Sequence, residues 1–169
     1  MFSQVVPQPT ADIGFRFPRL LGSNLEGRAV QVPGDLEGWA QLIVMPFERW
    51  QRPLVDSWMP TLRRLERDHR GLQVYELPAL WANNPFTRTF IESSLRAATE
   101  DANTREHTIV LYTDKAALRA RLGIADEATI HLFLVDLSGR VCWRSEGSYR
   151  TEGETALRDA VGRLVPRAH

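Results

Sequence analysis

The spacing of hydrophobic positions changes several times along the chain, and each change marks an element. Residues 1–14 (MFSQVVPQPTADIG) keep no sustained period and read as a flexible N-terminal arm. Residues 17–38 alternate short apolar runs with Gly, Asn and Pro-Gly signals, the pattern of a meandering β-arm. Residues 39–47 (WAQLIVMPF) are almost continuously apolar, as in a strand buried on both faces of a parallel sheet. Beyond it, Leu54, Val55, Trp58, Leu62 and Leu65 recur at spacings of three and four, predicting an amphipathic helix over 53–70 that starts at Pro53 and stops at Gly71. Pro60 lies inside that helix, where a missing N–H favours a kink.

Residues 71–78 (GLQVYELP) read as a second strand. Asn83 or Asn84 then caps a helix that begins at Pro85 and carries Phe86, Phe90, Ile91 and Leu95 on one face. Residues 108–113 (TIVLYT) predict a third buried strand, followed by a short helix over 114–122 that ends at Gly123. Two apolar runs flank a Ser-Gly turn across 129–147, which is an antiparallel hairpin, and Ala156, Leu157, Ala160, Val161 and Leu164 give a last helix over 153–164. No repeat or linker divides the chain, so residues 15–169 are expected to form a single domain.

Strand, helix, strand, helix, strand, short helix, hairpin, helix is an α/β order with a mixed sheet, because crossovers give parallel strands and the hairpin gives an antiparallel edge. That order resembles the thioredoxin-like superfamily over residues 17–164. The expectation is therefore a three-layer α/β/α sandwich with a mixed central sheet and an N-terminal β-arm. The most specific feature is the central strand running into a helix that contains Pro60. In catalytic thioredoxins a WCxxC motif sits at that junction, its second cysteine five residues before the kink proline. Counting back from Pro60 reaches Val55 and Arg52, so both thiols are replaced. Thioredoxins also place a cis-proline just before the hairpin, where residues 126–130 here read DEATI.

Within the superfamily, Val55-Asp56-Ser57-Trp58 with Pro60, and Leu134-Val135-Asp136 with Gly139-Arg140-Val141-Cys142-Trp143 and Gly147, resemble the mitochondrial ATP-synthase assembly factors. Residues 1–14 show neither a basic n-region nor an apolar run of about 7 or more residues, so no targeting segment is expected there. The resemblance then implies a redox-inactive, bacterial relative acting on a protein client.

Composition narrows the function classes. The 169 residues are 43% hydrophobic, enough for a core without staples, and 21 Lys+Arg balance 21 Asp+Glu. A balanced charge lacks the field that draws a domain onto nucleic acid, so no nucleic-acid partner is expected. Apolar runs stay far below the roughly 20 residues that span a bilayer, so direct membrane insertion is not expected and the protein is placed in the cytoplasm. One cysteine, Cys142, excludes an internal disulfide, a CxxC pair and a four-cysteine zinc site.

Cys142 sits mid-strand with nothing nearby in sequence to lower its pKa, which reads as a buried, inert thiol. A hairpin loop of two or four residues would put His131 and Cys142 on one sheet face, but His69, His107, His131 and His169 form no compact ligand spacing, so no metal or other cofactor is expected. Arg63, Arg64, Arg67 and Arg70 alternate with Glu66 and Asp68 in the manner of a solvated helix face. Trp81 falls in a loop and marks a partner surface if exposed. Asp56, Ser57 and Trp58 are consecutive helix positions that cannot face one another, so they carry no hydrolase chemistry.

The loop that ends the central strand carries Glu48, Arg49, Trp50, Gln51 and Arg52 where α/β folds place ligands. Either it is a solvated loop whose charges pair with neighbours, or its aromatic and guanidinium groups hold an anion or a carboxylate-bearing partner. The sequence supports a non-enzymatic binding, assembly or scaffold factor with those five residues as its contact surface, no catalytic residues and no cofactor. A protein is the expected partner, and a homodimer is a further candidate from the thioredoxin-like relatives and the surplus of tryptophans. The competing class is a thioredoxin-like or peroxiredoxin-like enzyme using Cys142 or a pocket on which Arg52, Glu48 and His131 converge.

Overall fold

The computed structural model describes residues 15–80 and 84–164. The expected arm at 1–14 and Trp81 lie outside the described residues, as does Asn83. The strands are β1 (Leu20–Asn24), β2 (Ala29–Val32), β3 (Ala40–Met45), β4 (Leu72–Glu76), β5 (Ala79–Leu80), β6 (Ile109–Tyr112), β7 (His131–Asp136) and β8 (Val141–Glu146). The helices are α1 (Arg52–Asp68), α2 (Pro85–Ala98), α3 (Ala102–Glu106), α4 (Lys115–Leu122) and α5 (Thr151–Leu164), with a 3-10 turn at Arg49–Gln51 just before α1.

Two four-stranded ladders, β2-β1-β6-β5 and β4-β3-β7-β8, continue into one another because β5 prolongs the line of β4. The join is made by the parallel bridge of Glu76 to Thr108 and by the Leu111 N–H donating to the Pro78 carbonyl. β3 runs parallel to β4 and antiparallel to β7, which is the mixed sheet that the element order requires. Every residue of β3 is buried, as its unbroken apolar run predicts for a strand covered on both sides. The expected β-arm is a β1–β2 hairpin whose first strand pairs antiparallel with β6, so the arm widens the sheet.

One face of the sheet is covered by α1 and α5 through Val55, Trp58, Leu62, Leu65, Leu157 and Val161. The opposite face is covered by α4, through Leu118 and Leu122, and by the arm, through Phe17, Leu20 and Val32. α1 and α5 approach closely enough that a Cβ on Gly153 would lie 2.9 Å from the Trp58 ring. Trp58 is fully buried, edge-on to Trp143 and Tyr149, and its indole N–H donates to the Gly147 carbonyl at 3.0 Å. Pro60 stands inside an unbroken α1, toward solvent. Asn84 caps α2 by accepting from the Thr87 N–H at 2.9 Å, Asp114 caps α4, and Gly123 closes α4 in the left-handed conformation.

Three expectations are corrected. α2 buries none of its residues, because the helix stands off from the sheet above a cavity instead of docking through Phe86, Phe90, Ile91 and Leu95. The β7–β8 hairpin carries a bulge that sets Leu134 opposite Trp143 but Val135 opposite Val141. Cys142 is the extra residue, and it joins the α1 and α5 side of the core. His131 instead pairs with Glu146 and Met45 and packs edge-on to Phe47, so the two side chains do not share a face. Finally, Arg63 is not on a solvated face: it is half-buried and bonded to Glu66, whose other oxygen accepts from the Val74 N–H, tying α1 to β4. Arg64, Arg67 and Arg70 are exposed as expected.

Candidate functional site

The loop after β3 is built around Gln51. Its side chain is buried, and its amide oxygen accepts from the N–H groups of Phe47 at 2.8 Å and Glu48 at 3.2 Å. Its amide nitrogen donates to the Glu127 carbonyl at 2.7 Å, which clamps this loop to residues 126–130, the loop before the hairpin. The peptide bonds of 126–130 are trans; among the described residues the cis bond is Val32–Pro33. A buried amide with its groups satisfied at both ends is a stiff bracket, since releasing any partner strands a polar group away from water.

A second tie comes from Lys115 at the start of α4, the chain's single lysine. Its ammonium donates to the Phe47 carbonyl at 2.9 Å and lies 3.4 Å from Glu48 and 3.6 Å from Glu127. Arg119, one turn on, reaches the Ala125 carbonyl at 2.9 Å and borders Glu127 at 4.0 Å. Glu48 is therefore exposed but partly neutralised, and it holds the loop toward α4.

Between these ties the loop presents Arg49 and Trp50 outward, with Trp50 60% exposed. Arg52 opens α1 and bridges two carboxylates, Asp56 at 3.0 Å and Glu76 at 2.9 Å. Burial pulls on its pKa, but the two carboxylates outweigh that and hold it above the ordinary arginine value. The pair with Glu76 fixes the first turn of α1 against the end of β4. Val55, the other position of the missing thiol pair, is buried in the core.

Of the five residues read from the sequence, Glu48, Arg49, Trp50 and Arg52 are exposed, Glu48 turned toward α4 and Arg52 toward the end of β4, and Gln51 is buried and holds the loop in place. Lys115 and Glu127 went unread, because they reach the loop from positions far along the chain. The Asp114 cap marked the start of α4, but nothing local showed which way Lys115 points.

Arg52 also borders a cavity of about 460 Å³ between α1, the sheet and the α2–α3 crossover, with Val44, Met59 and Leu95 among its apolar walls. Neither Glu48 nor His131 lines it. His131 is 4% exposed, and burial holds its pKa below the usual histidine value, with Glu146 at 3.9 Å pulling weakly the other way. The Cys142 thiol is buried and lies 3.7 Å from Asp136 and 3.6 Å from the Arg140 carbonyl. Among the described residues no group of three or more His, Cys, Asp or Glu is placed to hold a metal ion, and no helix is long and apolar enough to cross a membrane.

No protein-family model and no curated protein matches the sequence. Solved structures do resemble the fold. A putative thiol:disulfide interchange protein DsbE from Chlorobium tepidum aligns at 18% identity with a TM-score of 0.61, covering 93% of this chain and 100% of that one. BsSco, a member of the Sco family of cytochrome c oxidase assembly proteins, aligns at 14% identity and 0.63, covering 95% and 100%. A thiol:disulfide interchange protein from Bacteroides sp. aligns at 20% identity and 0.58, covering 95% and 94%. The chain has a thioredoxin-like fold with a single cysteine and no CxxC pair.

Proposed function

We propose that this protein is a redox-inactive, non-enzymatic thioredoxin-like binding module, an assembly or scaffold factor whose contact surface is formed by the exposed residues Glu48, Arg49, Trp50 and Arg52. The observation that carries the reading is Trp50 standing exposed on a loop braced by Gln51 and Lys115, at the strand-to-helix junction where Arg52 and Val55 replace the thiols of a catalytic thioredoxin. A preset aromatic loses little freedom on binding, which is why such side chains supply much of the energy at interfaces. Arg49 beside it favours a partner that presents a carboxylate or another anion.

Two similarities support an assembly role. The short motifs around Trp58 and Cys142 resemble the mitochondrial ATP-synthase assembly factors, and BsSco, of the same fold, belongs to a family of cytochrome c oxidase assembly proteins. An enzyme built on Arg52, Glu48 and His131 draws no support from the cavity that Arg52 borders, since neither Glu48 nor His131 lines it. We place the protein in the cytoplasm as part of the same proposal, and cell fractionation tests that part.

The direct test pairs chemistry with binding. The protein should show no insulin reduction with dithiothreitol and no peroxide turnover. Robust activity abolished by Cys142→Ser overturns the reading. A captured partner should bind roughly tenfold or more weakly to Trp50→Ala, while Arg64→Ala and Arg67→Ala bind as the wild type does.

A further inference from the structure

We infer that α2 is the two-fold interface of a homodimer, in which it pairs antiparallel with α2 of a second copy. The helix contributes nothing to the core, and its Phe86 and Phe90 are 87% and 71% exposed. Leu95 and Ala98 turn inward over the cavity. At 3.6 residues per turn, Phe86, Phe90, Ser93, Ser94 and Ala97 form the opposite stripe, and all five are exposed. That stripe holds no charge. Arg88 lies on the side of the helix away from the stripe and covers the Tyr112 ring at 4.8 Å, and Arg96 reaches Glu26 at 3.4 Å, so both are engaged with the body of the protein.

The stripe is large at one end and small at the other, which makes it its own complement. Reversed on itself about a two-fold axis level with Ile91 and Glu92, it sets Phe86 against Ala97 of the second copy and Phe90 against Ser93. Each ring then fills the space a small residue leaves. A parallel pairing would set ring against ring and leave the small half unfilled. Isologous contacts need this self-matching, and a second copy of the chain is the partner that supplies it.

Four phenyl rings at these exposures remove about 600 Å² from water, at roughly 150–250 Å² for each fully buried ring. That is below the roughly 1,200–2,000 Å² of a standard stable interface, so the dimer is weak and concentration-dependent. The inference stands apart from the proposed function: it concerns α2, while partner binding concerns Trp50.

Sedimentation of the full chain between about 1 and 200 µM tests it. The wild type should pass from monomer to dimer across that range, and Phe86→Asp with Phe90→Asp should stay monomeric with an unchanged circular dichroism spectrum. A swap tests the register. Phe86→Ala alone and Ala97→Phe alone should each weaken dimerisation at least fivefold, and the double variant should recover most of the loss. A monomeric wild type at 200 µM overturns the inference, as does a dimer indifferent to the two aspartates. So does stronger association of Ala97→Phe alone, which would mean a general apolar patch. Retained partner binding by a monomeric α2 variant leaves the Trp50 reading intact, so the two ideas fail separately.

Discussion

Gly153→Ala is the substitution whose effect should change sign with its neighbour. The added methyl would meet Trp58 Cη2 at 2.9 Å and Cζ2 at 3.4 Å. The ring cannot yield cheaply, because it is fully buried, bonded through its N–H to Gly147 and held edge-on between Trp143 and Tyr149. Overpacking of this kind costs about 1–3 kcal/mol, which exceeds the roughly 0.5–1 kcal/mol that alanine gains over glycine within a helix. Trp58→Phe removes the benzo edge that the methyl would strike. In that background Gly153→Ala should be neutral or stabilising, while Trp58→Phe by itself is destabilising because the Gly147 carbonyl loses its donor. Trp58→Ala should cost about 3–5 kcal/mol. At about 2–4 °C per kcal/mol for a chain of this size, that is about 6–20 °C in Tm. Urea unfolding of the wild type, both single variants and the double variant gives the coupling directly, expected at about 1 kcal/mol or more and favourable. Equal cost of Gly153→Ala in both backgrounds would refute the packing argument, and a Tm unchanged in Trp58→Ala would remove Trp58 from the core.

Two further predictions concern the loop and the sheet beneath it. Gln51→Ala strands the Glu127 carbonyl and two loop N–H groups, so it should cost about 1–3 kcal/mol in urea unfolding and raise hydrogen exchange at Phe47 and Glu48; unchanged exchange there contradicts the bracket. His131 has a folded-state pKa lowered by burial, so its contribution is fully present above the unfolded value near 6.5 and is lost as pH falls toward the folded value. Stability should therefore drop on acidification below about pH 6.5. His131→Leu should flatten that part of the profile in urea titrations, and an unaltered slope contradicts the assignment.

What the sequence made legible was mostly local. The apolar run of β3, the caps at Asn84 and Asp114 and the left-handed Gly123 each declare themselves within a few residues, and together they fix the order from which the fold follows. The junction before α1 was equally readable, since its position depends only on a strand end and the spacing to Pro60. What lay beyond reach depended on distant chain. The partner of Gln51 is 76 residues away, and Lys115 comes from another helix. Periodicity also cannot see a bulge: one extra residue at Cys142 moves it off the face that strict alternation gives. In α2 the pattern marked a helix, but the single apolar face expected from Phe86, Phe90, Ile91 and Leu95 is not there, because Leu95 lies on the side of the helix opposite Phe86 and Phe90. Leu95 lines the cavity, while Phe86 and Phe90 stay in solvent.

The central claim is that partners meet the edge around Trp50, and photo-crosslinking in the cell tests it most directly. A photoreactive amino acid replacing Trp50, and the same group replacing Arg67 on the exposed face of α1, can be compared at matched expression. The account predicts a discrete protein adduct from position 50, suppressed when Arg49→Ala is added, and none from position 67. Adducts from position 67 with none from position 50 would contradict it and move the contact surface to the outer face of α1.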